Sequence, residues 1–509
     1  MKGKAALSLL MGALVSVACS GRPAKTSFSA TPGDGPDWLI DPSPFQARAR
    51  ADAGDPAVLH LENGLVRRTF RLSPNAASVD LRNLVSGEAV LRAVRPEASI
   101  VLDGQPYDIG GLRGQTEQGY LLESWLPSMT SDPGAFRFRD YETGPIPERF
   151  PWMRKRPSED RPWPPPGVRL VLHFDPPVSL DPGPRVSIVY EIYDGIPLLS
   201  KRLVIENSGA TSIRLDTYRS EILAAVEPES SVNTPEAWEP QTIHVESDLA
   251  FLADSPQMAA KTSFWTSDPS YTSQVNYQLR TPCLLESRPP VGPGAVVPPG
   301  GRFESFTTFE LLFDSTDRER RGLSLRRMYR TIAPWVTENP VLMHLKSVEP
   351  ATVRAAVDQC AATGFEMIVL SFGSGLDMES EDPVALASLR GLADYAHGRG
   401  VEIGGYSLLA SRRIDDATDV IDPRTGRPGG AAFGNSPCLE STWGHEYFRK
   451  LRAFFERTGF DLLEHDGSYP GDLCASTVHP GLADSQWAQW TRISGFYRWC
   501  RGRGIYLNV

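Results

Sequence analysis

Little in this chain is built for covalent cross-linking, for structural metal or for nucleic acid. Only 6 of its 509 residues are cysteine, and no C-x-x-C or H-x-x-x-H spacing marks a structural zinc site. Beyond Cys19 there remain Cys283, Cys360, Cys438, Cys474 and Cys500, an odd and sparse set that excludes a disulfide framework. A formal net charge of −10 argues against general attraction to nucleic acid or to an anionic membrane surface. The one basic run, Arg318 to Arg330, also carries Leu323, Leu325, Met328 and Tyr329 and reads as an amphipathic helix with a solvated face. No run beyond Cys19 is long and apolar enough to cross a bilayer. What the chain has in abundance is proline and glycine, 44 of each, which favours turns and short strands over long helical bundles.

The first nineteen residues stand apart from the fold. Lys2 and Lys4 precede an apolar run from Ala5 to Ala18, too short to span a membrane and suited to a signal-peptide core. Ser16-Val17-Ala18 is a small-x-small cleavage site, and Cys19 follows as in a bacterial lipobox, with Ser16 where Leu is usual. The expectation is an exported chain in which residues 1–19 are signal peptide and lipobox. Lipid on Cys19 is then its sole membrane attachment, and without the lipid it is a periplasmic or secreted product. Residues 20–55, rich in Pro, Gly, Ser, Ala and Asp without periodicity, read as a flexible tether.

From 56 to 315 the punctuation is that of β structure. Val58 to Phe70 contains Asn63-Gly64 between two extended runs, a hairpin signal. Ser99–Leu102, Arg169–Phe174, Val186–Tyr193, Ser200–Glu206 and Phe303–Phe313 are further strand-like runs. The spacing predicts a large antiparallel sandwich. An insertion from Phe150 to Gly167 sets Trp152 and Trp163 among prolines. Trp163 is a candidate for stacking on a sugar ring, or for packing down as part of a rigid surface loop. Residues 316–340 read as a helical linker.

After Pro340 the pattern changes to alternating strands and helices. Strands are expected at Val341–Leu345, Glu366–Phe372, Val401–Tyr406, Phe460–Leu463 and Gly504–Val509, with helices between them. This is a parallel sheet, open or closed; no G-x-G-x-x-G or P-loop follows its first strand, which argues against a nucleotide site. An eight-stranded (β/α) barrel needs more strands than the five in 341–509, so the sequence reads as incomplete, ending on an uncovered parallel edge.

The fourth of these strands runs into Glu464-His465-Asp466-Gly467 and then Pro470-Gly471-Asp472. Acids at the carboxyl end of a parallel strand occupy the catalytic face of an α/β barrel; alternatively Asp466 only caps the next helix or holds the loop by an Asx-turn. Glu464, Asp466, Asp472 and Asp377 are the candidate acids. Tyr406, Arg412 and Asn435 follow the third strand and are candidates to bind sugar hydroxyls. His465 stands between the two acids, either at the substrate or, with His344, His445 or His479, as a metal ligand. Cys438 and Cys474 fall in loops on the same face and are the pair expected to form a disulfide, whereas Cys360 and Cys500 fall in helical patterns and read as buried thiols.

The phrases Tyr193-Asp194-Gly195-Ile196-Pro197, Val204-Ile205-Glu206-Asn207 and Leu462-Leu463-Glu464-His465-Asp466-Gly467, together with the order sandwich, linker, barrel, resemble the α-galactosidase (melibiase) clan of retaining glycoside hydrolases. The resemblance implies a β-supersandwich followed by a (β/α)8 barrel, a carbohydrate substrate, no cofactor and no metal. It places the nucleophile at Asp466 and the general acid/base on a sixth strand, which the sequence does not reach. Glu464 stands where the clan commonly has a sugar-binding Lys, and the second strand ends Ser371-Phe372-Gly373-Ser374-Gly375-Leu376-Asp377 rather than in acids with a Trp. Galactose itself is therefore less firmly implied than the chemistry. Two other readings stay open: a non-catalytic glycan-binding surface lipoprotein, and a metal-dependent barrel hydrolase.

The leader carries its own test. Metabolic palmitate labelling is expected in the wild-type chain and absent in Cys19→Ala; equal labelling of both, or none in either, rules out the anchor.

Overall fold

A computed structural model describes residues 36–227, 232–234, 238, 242–249, 262–273, 276, 278–430, 434–467, 471–479 and 485–509. The leader, Cys19 and the first part of the expected tether lie outside the described residues. From residue 36 the chain is already part of the sandwich, which corrects the tether expected to run to residue 55. Trp38 is buried among Leu65, Tyr193 and Met328, and its indole N–H donates to Asp314 at 2.8 Å. Arg48–Ala51 pairs antiparallel with Val58–Glu62. One buried indole and a strand ladder fix a segment whose composition reads as loop.

Among the described residues the strand pairings of the N-terminal half are antiparallel, apart from one isolated parallel bridge between Ile109 and Phe136, and form three four-stranded sheets and one of seven strands. The glycine-bearing turns in it are joints between distant segments. Asn63, in the Asn-Gly turn, donates to the carbonyls of Tyr193 and Ile196 at 2.7 Å each. Asp194 accepts the Ala47 N–H at 2.7 Å. Gly195 (φ +68°) lies so close to Pro42 that an added Cβ would sit 2.5 Å from it. The linker helix α1 (Arg318–Ile332), N-capped by Asp317, lays Leu325, Met328, Tyr329 and Ile332 on the sandwich.

The second half is a parallel sheet of β1 (Leu342–Leu345), β2 (Met367–Leu370), β3 (Glu402–Leu408), β4 (Leu462–Asp466) and β5 (Tyr506–Asn508), hydrogen-bonded in sequence order. Helices α2 (Pro350–Thr363), α3 (Pro383–His397), α4 (Thr442–Thr458) and α5 (Ser485–Arg501) separate the strands. Strand alternation gives each face its own core. Ile368, Leu370, Ile403 and Leu463 pack with the helices. Met367, Val369 and Leu462, joined by Leu342 and Tyr506, form a separate cluster on the other face. Gly404 admits that second cluster: a Cβ there would sit 2.5 Å from Leu462.

The insertion 149–167 closes the amino-terminal end of this sheet. Arg156 is buried and donates to Glu402 at 2.5 Å, to the Asp461 carbonyl at 3.0 Å and to the Gly504 carbonyl at 2.9 Å, with Glu338 of the linker at 3.4 Å. These groups stand at or just before the starts of β3, β4 and β5. Lys155 pairs with Asp461 and, at 3.2 Å, with Glu402. Trp163 belongs to this end, so its expected place at the sugar site is corrected. Its indole N–H donates to the Phe150 carbonyl at 3.0 Å, and its ring packs on Phe150 and Trp335. The prolines around it make a packed surface loop.

Removing the Arg156 fork takes a cation from the buried Glu338 carboxylate and leaves Glu402 with Lys155 alone. Arg156→Met is expected to destabilise the chain by about 3–5 kcal/mol, read as a lower urea midpoint. Arg156→Lys is expected to recover only part of the loss, since an ammonium cannot reproduce the planar fork.

Candidate active site

The inner face of the sheet changes character along its length. Its amino-terminal part is the apolar cluster of Met367, Val369 and Leu462; its carboxyl-terminal part is polar. Parallel register sets Tyr406 beside Glu464 and Leu408 beside Asp466, and Glu464 beside Asn508. The strand expected to stop at Leu463 continues through Asp466, so both acids ride on regular strand, two residues apart and on one side.

Each acid has its own donors. The Tyr406 phenol donates to Asp466 Oδ2 at 2.5 Å. Burial, the hydrogen bond to Asp466 and the charges of Asp466 and Glu464 push the phenol well above the ordinary tyrosine range, so it stays a donor. Glu464 accepts from Ser371 Oγ at 3.3 Å and has His344 Nδ1 at 3.8 Å, with His344 and Ser371 themselves 3.0 Å apart. Asp466 is exposed and Glu464 half-buried. Phe372, 63% exposed, sets its ring 5.4 Å from that of Tyr406. The result is two carboxylates, a phenol, a hydroxyl, an imidazole and an apolar ring on one open face.

Sequence reasoning did not single out Ser371 or Phe372 as site residues, and considered His344 only as a metal ligand. The signal was there: His344 ends the inward alternation of β1, and Ser371 continues the Met367-Val369 alternation past β2.

The other candidates go elsewhere. His465 is buried on the opposite side of β4, which corrects its place at the substrate. Its Nε2 lies 2.9 Å from the Tyr447 hydroxyl and its Nδ1 2.8 Å from that of Tyr497. A metal site joining it to His344, His445 or His479 is likewise corrected: both its nitrogens are taken, His344 serves Ser371 and Glu464, and His445 lies by Glu440 and Arg492. Arg412 is held by Glu379 at 2.8 Å and the Leu408 carbonyl at 2.9 Å, above the Trp443 ring. Asp377 caps its own turn through the Glu379 N–H. Asn435 is exposed in the loop after β3. Asp472 is buried against that loop, where a Cβ on Gly430 would meet its Oδ2 at 2.1 Å.

Cys438 and Cys474 meet as expected, but as free thiols rather than as the expected disulfide. Cys474 Sγ accepts the Ile421 N–H at 3.4 Å and faces His479. The hydrogen bond between the two sulfurs pushes Cys438 up and Cys474 down.

No family model matches this chain, and no curated protein does. Solved structures do. An α-galactosidase from Lactobacillus brevis superposes with a TM-score of 0.55 at 12% identity, over 89% of this chain and 69% of that one. A GH36 α-galactosidase of Geobacillus stearothermophilus in complex with raffinose gives 0.54 at 11%, over 88% and 71%. The galactosidase domain of an α-galactosidase–sucrose kinase gives 0.52 at 12%, over 90% and 72%. The chain has an α-galactosidase-like fold, far diverged in sequence.

Burial lowers the His465 pKa to about 3, against about 6.5 for an unfolded histidine. Between those values the unfolded chain binds a proton that the folded chain refuses, so stability falls as pH drops through that window. His465 ring resonances are expected to stay unshifted from neutral pH to about pH 4, whereas an exposed histidine titrates normally. His465→Gln is expected to flatten the acid limb of the stability curve.

Proposed function

We propose that this chain is a retaining exo-α-glycosidase with Asp466 as its nucleophile, exported and lipid-anchored through Cys19, acting on α-galactoside-like oligo- or polysaccharides. The observation that supports it is Asp466: an exposed carboxylate at the carboxyl end of β4, on the inner face, held by a phenol that remains protonated. Asp466 attacks the anomeric carbon as the bond to the leaving oxygen breaks. A second carboxyl group, about 5–5.5 Å from the first in retaining enzymes, protonates that oxygen. Water then cleaves the glycosyl ester, with the second carboxylate taking its proton.

The strand holds Asp466 by backbone, and in-line attack tolerates little displacement. Tyr406 fixes the carboxylate's rotation and leaves Oδ1 for the anomeric carbon. Glu464, an acceptor where the resemblance has a Lys donor, favours hydroxyls that donate. Phe372 and Tyr406 offer ring surface to the sugar. The raffinose bound by the Geobacillus stearothermophilus neighbour makes α-galactosides the first substrates to try. The resemblance places the acid/base on a sixth strand; the described sheet has five.

On aryl α-glycosides, Asp466→Asn is expected to keep the fold and lower turnover by at least about 10³-fold. Azide is expected to restore activity to Asp466→Gly and yield a β-glycosyl azide. Near-normal turnover by Asp466→Asn overturns the assignment. Loss in Glu464→Gln with Asp466→Asn active moves the nucleophile to Glu464. Raffinose binding without turnover by the wild-type chain makes this a glycan-binding protein.

A further inference from the structure

Three ligand-type side chains that the glycosidase chemistry leaves unused converge beside the loops of this face. Cys438, Cys474 and His479 bring one donor atom each to within 4.8 Å of one another, and both cysteines are wholly buried. Cys438 comes from the loop after β3; Cys474 and His479 come from the loop after β4. Cys474 Sγ stands 3.9 Å from His479 Nδ1. The walls are Val420 and Ile421, and the Ile421 backbone N–H points at the Cys474 sulfur from 3.4 Å.

We propose that Cys438, Cys474 and His479 bind a thiophilic divalent cation, Zn²⁺ by the chemistry of the donors. Two thiolates and an imidazole suit zinc and are a poor match for magnesium or calcium, which take oxygen ligands. Charge gives the same answer. A lone thiolate in this apolar pocket would be costly to bury, whereas two thiolates and a neutral imidazole around a dication make a neutral centre. Donors at 2.0–2.3 Å from a tetrahedral ion stand roughly 3.3–3.8 Å apart, so a small contraction of the present arrangement completes the set. Three protein ligands leave the fourth position to water.

On binding, the two thiol protons leave to solvent as two S–Zn bonds and one N–Zn bond form, with no change of oxidation state. The ion clips the loop after β3 to the loop after β4, next to the contact between Asp472 and Gly430. The spacing Cys474-x-x-x-x-His479 is not a zinc motif by itself. The site exists because Cys438 arrives from the preceding loop. The inference is independent of the glycosidase reading, and its test reads metal rather than turnover.

The full chain, grown with added zinc and purified without chelator, is expected to carry one zinc per chain by elemental analysis. Replacement by Co²⁺ is expected to give thiolate-to-cobalt charge-transfer absorption and the intense d–d bands of a tetrahedral site. Cys474→Ser and His479→Ala are expected to reduce bound metal from one per chain to background, and His445→Ala to leave it unchanged. If the variants fail to fold, the cobalt spectrum of the wild-type protein decides alone. Zinc-supplied wild-type protein without metal overturns the proposal. So does a Cys438–Cys474 disulfide found by peptide mapping of unreduced protein, or full metal retention in both variants.

Discussion

The architecture depends on one guanidinium that joins the two halves. Arg156 leaves the sandwich on a proline-rich insertion and ends among the amino-terminal ends of three neighbouring parallel strands. Those ends present carbonyls and acidic side chains, and a planar cation with several donors satisfies them together. Lys155 and His397 add to the same end through Asp461, His397 at 2.6 Å. The amino-terminal end of the sheet is thereby closed with charge pairs and aromatic packing. The polar cluster of Asp466, Glu464 and Tyr406 lies at the opposite, carboxyl-terminal end, the end at which parallel barrels place their catalytic loops.

The sandwich handles its own buried charge in a comparable way. Arg68, Lys201, Glu221 and Glu310 are all fully buried. Arg68 meets Glu221 at 2.8 Å and Glu310 at 3.1 Å, and Lys201 meets Glu221 at 2.9 Å. Burial and the nearby Glu221 charge push the Glu310 carboxyl up. Burial pushes Glu221 up as well, but the charges of Arg68 and Lys201 outweigh it and hold the group low. Two acids of the same type are thus pushed in opposite directions within one cluster. Such clusters are weak sources of net stability and costly to break, so they fix which strands face which.

On the barrel sheet one alternation does two jobs. Every second residue of β2 and β4 faces the helices, apolar except for His465; the residues between line the other face, apolar below and, on β4, ionisable above. Glu464 and Asp466 fall on the second set and His465 on the first, so three consecutive polar residues have two different fates. The acids meet donors and solvent, and the imidazole is held neutral between two phenols. A single strand therefore supplies accessible carboxylates to one face and a buried polar anchor to the other.

Local pattern was enough to read the β-rich first half, the linker helix, the alternating second half and the acid at the end of the fourth strand. These follow from periodicity and turn chemistry, which act over a few residues and leave their mark in consecutive letters. The opposite orientation of His465 was also legible, since strand period alone separates it from Glu464 and Asp466. Tertiary structure decided the rest, because it depends on which distant segments meet. The Trp163 insertion and the supposed sugar site are equally polar and aromatic in sequence, and only docking through Arg156 put Trp163 at the far end. Trp38 turned an apparent tether into sandwich by finding a pocket made of residues far along the chain. Cys438 and Cys474 were expected to meet, but His479 joined them only when the two loops folded together. Spacing within either loop carries no trace of that, since a coordination sphere is set by distance in space and not by separation along the chain.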